Sequence, residues 1–307
     1  MKEFKFNFMG ARRITSVISS LLIIVSIFSL SYQGLNLGID FTGGTLVEVG
    51  YSETVDLVKV RESFSNSNFS NATIQYFGSA KEILIRIPPQ QGLNSADISS
   101  QVLDLISADN VNAKMRRVEF VGPQVGKELK EDGGLAMLYA LLCIMFYVAL
   151  RFQMRFSVGA VAALIHDVLI TLGFFSITGF NFDLTILAAL LAVIGYSLND
   201  TIVVFDRVRE NFRKIRDKTS VDVFNISLNQ TLSRTLMTSF TTLLVLSALF
   251  LLGGEIIHGF AMALIFGVLI GTYSSIYIAS PVTLALGIKK EDLMPVKKEG
   301  VDINTQP

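Results

Sequence analysis

The chain has 307 residues, 51% of them hydrophobic and 17% charged, with 26 Lys and Arg balanced by 26 Asp and Glu. A mean hydropathy of +0.53 excludes an ordinary soluble globule and points to a polytopic membrane protein with one soluble insert, and zero net charge argues against a nucleic-acid partner. Two His and one Cys are too few for a His/Cys metal cluster or an internal disulfide, and Cys143, inside an apolar run, reads as a small buried hydrophobe.

A spanning helix needs about 20 mostly apolar residues. The first such run, 14–32, follows Lys2, Lys5, Arg12 and Arg13 but has no small-residue cleavage pattern after it, so it reads as an uncleaved anchor. Next comes a soluble segment, 34–131. Alternating and helical periodicities predict a strand at 45–51, a helix at 54–65, strands at 73–77 and 82–87, a helix at 95–108 and a strand at 113–121. That βαββαβ order is the split arrangement of a ferredoxin-like α+β domain. Asp40, Gly43 and Gly44 precede it in GIDFTGGT, and Gly122, Pro123 and Gly126 follow it in VGPQVGKEL. Gly frees the backbone and Pro fixes it, so both segments read as turns or as joints between membrane and head. Spacing alone favours turns, because no phosphate-loop pattern is present.

Five further runs follow at 134–150, 156–178, 184–205, 235–252 and 259–286. The fold class is therefore a polytopic α-helical membrane protein of six spans, with 132–288 forming spans two to six. Arg151 and Arg155 fill one turn and six Lys and Arg lie in 207–218, whereas the turns 179–183 and 253–257 have none. Basic residues mark cytoplasmic loops, which places both termini in the cytoplasm and the soluble domain outside.

Charge within the spans carries the functional signal. His166 and Asp167 fall near the middle of the third span, as a proton relay or as a satisfied buried pair. Asp200 sits late in the fourth span and Arg234 at the margin of the fifth; burying either unpaired costs about 2.5 to 3.5 kcal/mol. Counted at about 1.5 Å per residue, both lie at similar depth, nearer the cytoplasm, and within about 4 to 6 Å they would hold each other ionised. The alternative is that Arg234 snorkels to the headgroups and Asp200 pairs locally. Ala188, Ala192, Gly195 and Asn199 line one helical face beside Asp200, which lets another helix approach closely, and Arg234, Thr238, Thr241 and Thr242 make a hydroxyl stripe able to hold water or bond across a contact. The stretch 206–233 reads as an amphipathic helix on the membrane surface. In the sixth span Ala263, Gly267, Gly271, Ser275 and Ala279 form a small-residue stripe for internal packing or for a partner, and Pro281 kinks its end. The tail 289–307 has no apolar periodicity and is expected to be disordered.

The motifs GIDFTGGT, VGPQVGKEL, HD at 166–167, GYSLNDTIVVFDRVREN at 195–211 and NQTLSRTLMTSFTTLL at 229–244 resemble the SecF family, the smaller subunits of the SecD–SecF protein-export complex, within the resistance-nodulation-division superfamily. The resemblance implies an inner-membrane subunit that, with SecD, couples the proton gradient to late steps of polypeptide export through the Sec translocase channel and its accessory subunits. Its partners would be SecD, that channel, an unfolded translocating polypeptide and protons. The family's proton-path acid and arginine fall on Asp200 and Arg234, with Asn199 beside the acid, while His166, Asp167 and Thr238 are candidates for a relay. Protonation of Asp200 would change helix packing, and the Gly-rich joints would pass that movement to the head. Rival readings are half of an efflux or lipid exporter, or a membrane assembly scaffold whose charges fix helix register. An enzyme is not expected, since no nucleophile, base and oxyanion set converges and no cofactor or metal motif appears.

Overall fold

The structure, a computed structural model, describes residues 6–90, 95–109, 113–215 and 217–288; the tail expected to be disordered lies outside the described residues. In chain order the elements are α1 (Arg12–Tyr32), α2 (Ile39–Thr42), β1 (Gly44–Gly50), α3 (Leu57–Ser65), β2 (Thr73–Phe77), β3 (Ser79–Ile87), α4 (Ser95–Asp109) and β4 (Lys114–Val121). Then come α5 (Pro123–Arg151), α6 (Met154–Thr178), α7 (Leu184–Lys214), α8 (Ser220–Leu252), α9 (Glu255–Ser274), a π-helical turn (Ser275–Ala279) and α10 (Ser280–Ala285). Among the described residues six helices are long and apolar enough to cross a membrane: α1, α5, α6, α7, α8 and the composite Ile256–Ala285.

The head is a four-stranded, fully antiparallel sheet of order β2-β3-β1-β4, the strand order of a ferredoxin-like fold. Strand alternation turns Val47, Val49, Ile83, Ile85 and Ile87 to one face, where Val60 and Phe64 of α3 and Ile98, Val102 and Ile106 of α4 complete a dry core. Asp56 starts α3 by accepting a hydrogen bond from the Val58 N–H. The other face carries Leu46, Glu48, Leu84, Arg86, Arg117 and Glu119 and looks toward the ends of the spans.

In the bundle, α6 and α7 are the interior helices. Asp183 caps α7 by accepting from the Ile186 N–H, and Thr219 with Asp222 forms a reciprocal capping box on α8. The small-residue stripe of the sixth span serves internal packing. A Cβ on Gly271 would lie 2.9 Å from the Ser197 Cβ, and one on Gly267 would overlap the Val193 side chain, so α9 rides directly on α7. Gly267→Val is expected to lower the unfolding midpoint of the detergent-solubilised protein, because overpacking a tight contact costs about 1 to 3 kcal/mol.

Two expectations need correction. The stretch 206–233 is not one surface helix: α7 continues to Lys214 and α8 begins at Ser220. Its apolar residues Val208, Phe212, Phe224 and Leu228 pack with Phe8, Phe152, Phe156 and Phe205 in a protein core rather than facing lipid. Amphipathic periodicity is the same in both cases, and only tertiary packing separates them. Cys143 is exposed on α5 rather than buried, since α5 turns most of its surface outward. Near Pro281, where a kink is expected, the preceding helix widens into a π turn, with the Ser280 hydroxyl donating to the Ser275 carbonyl at 3.3 Å. A proline lacks the N–H for the i−4 bond and crowds that carbonyl, and the wider turn accommodates both.

Candidate proton-coupling site

Asp200 lies on α7 about 24 Å along the helix from Leu184, taking about 1.5 Å per residue. It is 3% exposed, and its Oδ2 has no hydrogen-bond partner among the described residues. Buried hydroxyls of Tyr196 and Thr201 on the same helix and Thr235 on α8 are equally without partners. Buried polar atoms are ordinarily satisfied, so these unpartnered oxygens set this stretch of α7 and α8 apart. Arg234, one residue before Thr235, is exposed on the bundle surface. Its charge acts on Asp200, yet no ion pair joins the two among the described residues.

Asn199 is exposed and so are Gly195, Ala192 and Ala188, four positions on one face of α7. A Cβ on Gly195 would meet nothing within 4 Å. The face expected to accept a neighbouring helix is therefore open in this chain, while the opposite face of α7 is covered by α9. Gly267 and Gly271 thus pack internally, and Gly195 does not. Two hydroxyls of the stripe donate to their own helix. Thr238 donates to the Arg234 and Thr235 carbonyls at 3.1 and 2.9 Å, and Thr241 to those of Met237 and Thr238. In lipid a lone threonine satisfies its hydrogen on its own helix and leaves only lone pairs to offer.

His166 and Asp167 are 2% and 1% exposed on α6. The Asp167 Oδ2 accepts from the Ser197 hydroxyl of α7 at 2.6 Å and from the Ser274 hydroxyl of α9 at 2.7 Å, and its Oδ1 lies 3.0 Å from the His166 Nδ1. One carboxylate thus clasps three helices, immediately before the π turn. Sequence reasoning missed Ser197 and Ser274; the serines stand within the helical runs and signal nothing by type alone.

The joint residues converge. Gly43 and Gly44 have φ of 71° and 122°, a region that favours glycine. A Cβ on Gly43 would stand 2.8 Å from the Pro123 Cα, and one on Gly126 would stand 2.7 Å from the Gly43 N. Pro123 opens α5 directly after Gly122. The incoming and outgoing segments are thus pressed backbone to backbone. Asp40 does more than turn the chain: its Oδ2 accepts from the Leu184 N–H at 3.0 Å, at the first turn of α7. Beside it the chain pairs with the α6–α7 connection, Gly38 N to Phe182 O and Phe182 N to Asn36 O, both at 2.8 Å. Arg86 of β3 donates to the Leu37 carbonyl at 3.0 Å. Desolvation lowers its pKa from the usual arginine value, and the charges of Asp183 and Asp40 oppose that shift. Head, joint and α7 therefore share one polar knot. Asp40→Ala leaves the Leu184 N–H without its acceptor. It is expected to destabilise the α7 start by about 1 kcal/mol, read as faster amide exchange at 184–187.

The fold and site define a class: a six-span membrane subunit with an extramembrane ferredoxin-like head, a buried carboxylate and an uncovered helix face beside it. The comparisons make the class specific. Residues 101–289 match the description "Protein export membrane protein SecD/SecF, C-terminal", and residues 28–55 match the SecD/SecF GG motif. The chain is 52% identical to the protein translocase subunit SecF of Vibrio alginolyticus, over 99% of this chain and 98% of that one, and 48% identical to that of Pseudomonas aeruginosa, over 96% of each. It superposes on the crystal structure of SecDF from Thermus thermophilus with a TM-score of 0.85 at 38% identity, covering 92% of this chain and 39% of that one. On SecDF in its super-membrane-facing form the TM-score is 0.70 at the same identity. The chain belongs to the SecD/SecF family of protein-export membrane proteins, and it corresponds in length to the SecF subunits and to about two fifths of the SecDF chain.

Proposed function

We propose that this chain is the SecF half of a SecD–SecF unit of the Sec translocase in the inner membrane, with both termini cytoplasmic, and that Asp200, assisted by Arg234 and Asn199, couples proton movement to late steps of polypeptide export. The single observation that carries the reading is the open face of α7. Ala188, Ala192, Gly195 and Asn199 lie uncovered beside a buried carboxylate whose Oδ2 has no hydrogen-bond partner among the described residues. A helix face of small residues with a polar tip suits close contact with another helix, and a second half related by a pseudo-two-fold axis would bring its own charges to Asp200. Water and protons would then reach the acid at a subunit seam rather than through lipid.

The head sits on the outer side, and the knot of Asp40, Arg86 and the Leu184 N–H, with the close-packed Gly43, Gly44, Gly122, Pro123 and Gly126, passes movement of α7 to it. His166, Asp167 and Thr238 are proposed as the internal support of the path. The partners are SecD, the translocase channel with its accessory subunits, and an unfolded polypeptide outside. Gly195→Trp is expected to abolish co-purification with SecD from mild detergent while leaving the chain folded and inserted, since its Cβ points into open space. Undiminished co-purification would place the partner elsewhere and remove the seam from the mechanism.

A further inference from the structure

Between the open face of the head sheet and the head-side ends of the spans lies a cavity of about 540 Å³. All four strands contribute to it, Leu46 and Glu48 from β1, Gln75 and Phe77 from β2, Leu84 and Arg86 from β3, Arg117 and Glu119 from β4. Its floor is the bundle, with Asp183, Thr185 and Ile186 of the α7 start and His258 and Met262 of α9. Volumes of roughly 300 to 1,000 Å³ hold a small ligand or a few side chains, which excludes a folded domain as occupant. Four strands about 4.8 Å apart make a surface about 14 Å wide, the length of about four extended residues. The lining alternates apolar positions with both signs of charge, Arg86 and Arg117 against Asp40, Glu48, Glu119 and Asp183. That mixture selects no single small anion or cation. It suits a chain whose successive side chains differ in polarity, and it offers polar partners to the main chain.

The geometry points to this vestibule as the place where the subunit holds a short extended stretch of unfolded polypeptide, an inference that rests on the export role proposed above. Two observations favour a polypeptide over other occupants. The cavity spans the head and the bundle, the two bodies that the joint connects, so an occupant contacts both and its affinity differs between joint positions. A ligand with such a difference shifts the equilibrium between them, and the shift is reciprocal. In addition, Thr185 lines the vestibule and begins the uncovered face that continues through Ala188 and Ala192, so the vestibule adjoins the seam where the second half would stand. A segment held there touches the first turn of the helix that carries Asp200.

The test places a photo-crosslinking amino acid at position 48 or 75 in the full SecD–SecF complex, with position 62 on the helix-covered side of the head as the control. Membrane vesicles carry a translocation substrate stalled part way, and each variant is first shown to sustain export. Adducts between the stalled polypeptide and positions 48 and 75, with none above background from 62, are expected. Adducts to SecD alone, equal adducts from all three positions, or none would overturn the assignment. Because the adduct is read on a stalled chain, its absence in vesicles that still export in response to the gradient defeats the vestibule and leaves the export role standing. Loss of the gradient response in the parent would instead defeat the proton-coupled role.

Discussion

In membrane vesicles, Asp200→Asn is expected to reduce export to the level seen when the proton gradient is collapsed. Asparagine keeps the volume and much of the hydrogen-bonding capacity of the acid, so the bundle stays packed, and the acid's Oδ2 has no hydrogen-bond partner among the described residues to lose. What disappears is the change of charge. Moving one elementary charge through the membrane potential is worth about 2.3 kcal/mol per 100 mV, which biases a two-state equilibrium about 40-fold at about 1.4 kcal/mol per tenfold. A neutral side chain cannot transmit that bias. Arg234→Met should fail in the same way, because the carboxylate loses the nearest cation that acts on it, whereas Arg234→Lys retains the charge and should retain part of the response. Gradient-independent export and co-purification with SecD should be unchanged in all three. A full gradient response in both Asp200→Asn and Arg234→Met would remove the pair from the coupling step.

Much of the architecture was legible because each element satisfies its own rule locally. The strands expected at 45–51 and 82–87 recur as β1 (Gly44–Gly50) and as β3, which starts three residues earlier, at Ser79. Continuous apolar runs give spans, although length alone did not show that α7 and α8 extend well past the apolar window to Lys214 and back to Ser220. There the amphipathic periodicity of 206–233 announced helix, but not that the two polar ends pack on each other as continuations of the spans, a tertiary fact with no local signature. Asp200 could be found because a charge in an apolar run is costly. Its burial, the exposure of Arg234 and the open face between Ala188 and Asn199 could not, because periodicity assigns residues to a face without saying what covers that face. The same limit hid Asp40, whose carboxylate bonds to Leu184, 144 positions away, and the serines that meet Asp167.

The clasp at Asp167 is expected to be the largest single contribution of a polar side chain to the stability of the bundle. Removing the acid in Asp167→Ala strands the Ser197 hydroxyl and the His166 Nδ1 inside a core that is nearly closed to solvent and leaves the Ser274 hydroxyl with only the Gly271 carbonyl, at 3.2 Å. Each stranded polar group costs about 1 to 3 kcal/mol, and breaking a buried charged network by taking one member away costs about 3 to 5 kcal/mol. The unfolding midpoint of the solubilised protein should fall accordingly. The combination Ser197→Ala with Ser274→Ala should lower it as well, by stranding the carboxylate. The triple variant, which adds Asp167→Ala to that pair, should recover part of the loss because fewer groups remain to be satisfied, and such non-additivity is the signature of a shared network. A midpoint in Asp167→Ala equal to the parent's would show that the three helices are held by packing alone. Asp167→Asn separates clasp from relay: the amide can still bond a hydroxyl but cannot carry a proton. A folded Asp167→Asn protein with a normal gradient response assigns Asp167 to structure, and one without it adds Asp167 to the path that begins at Asp200.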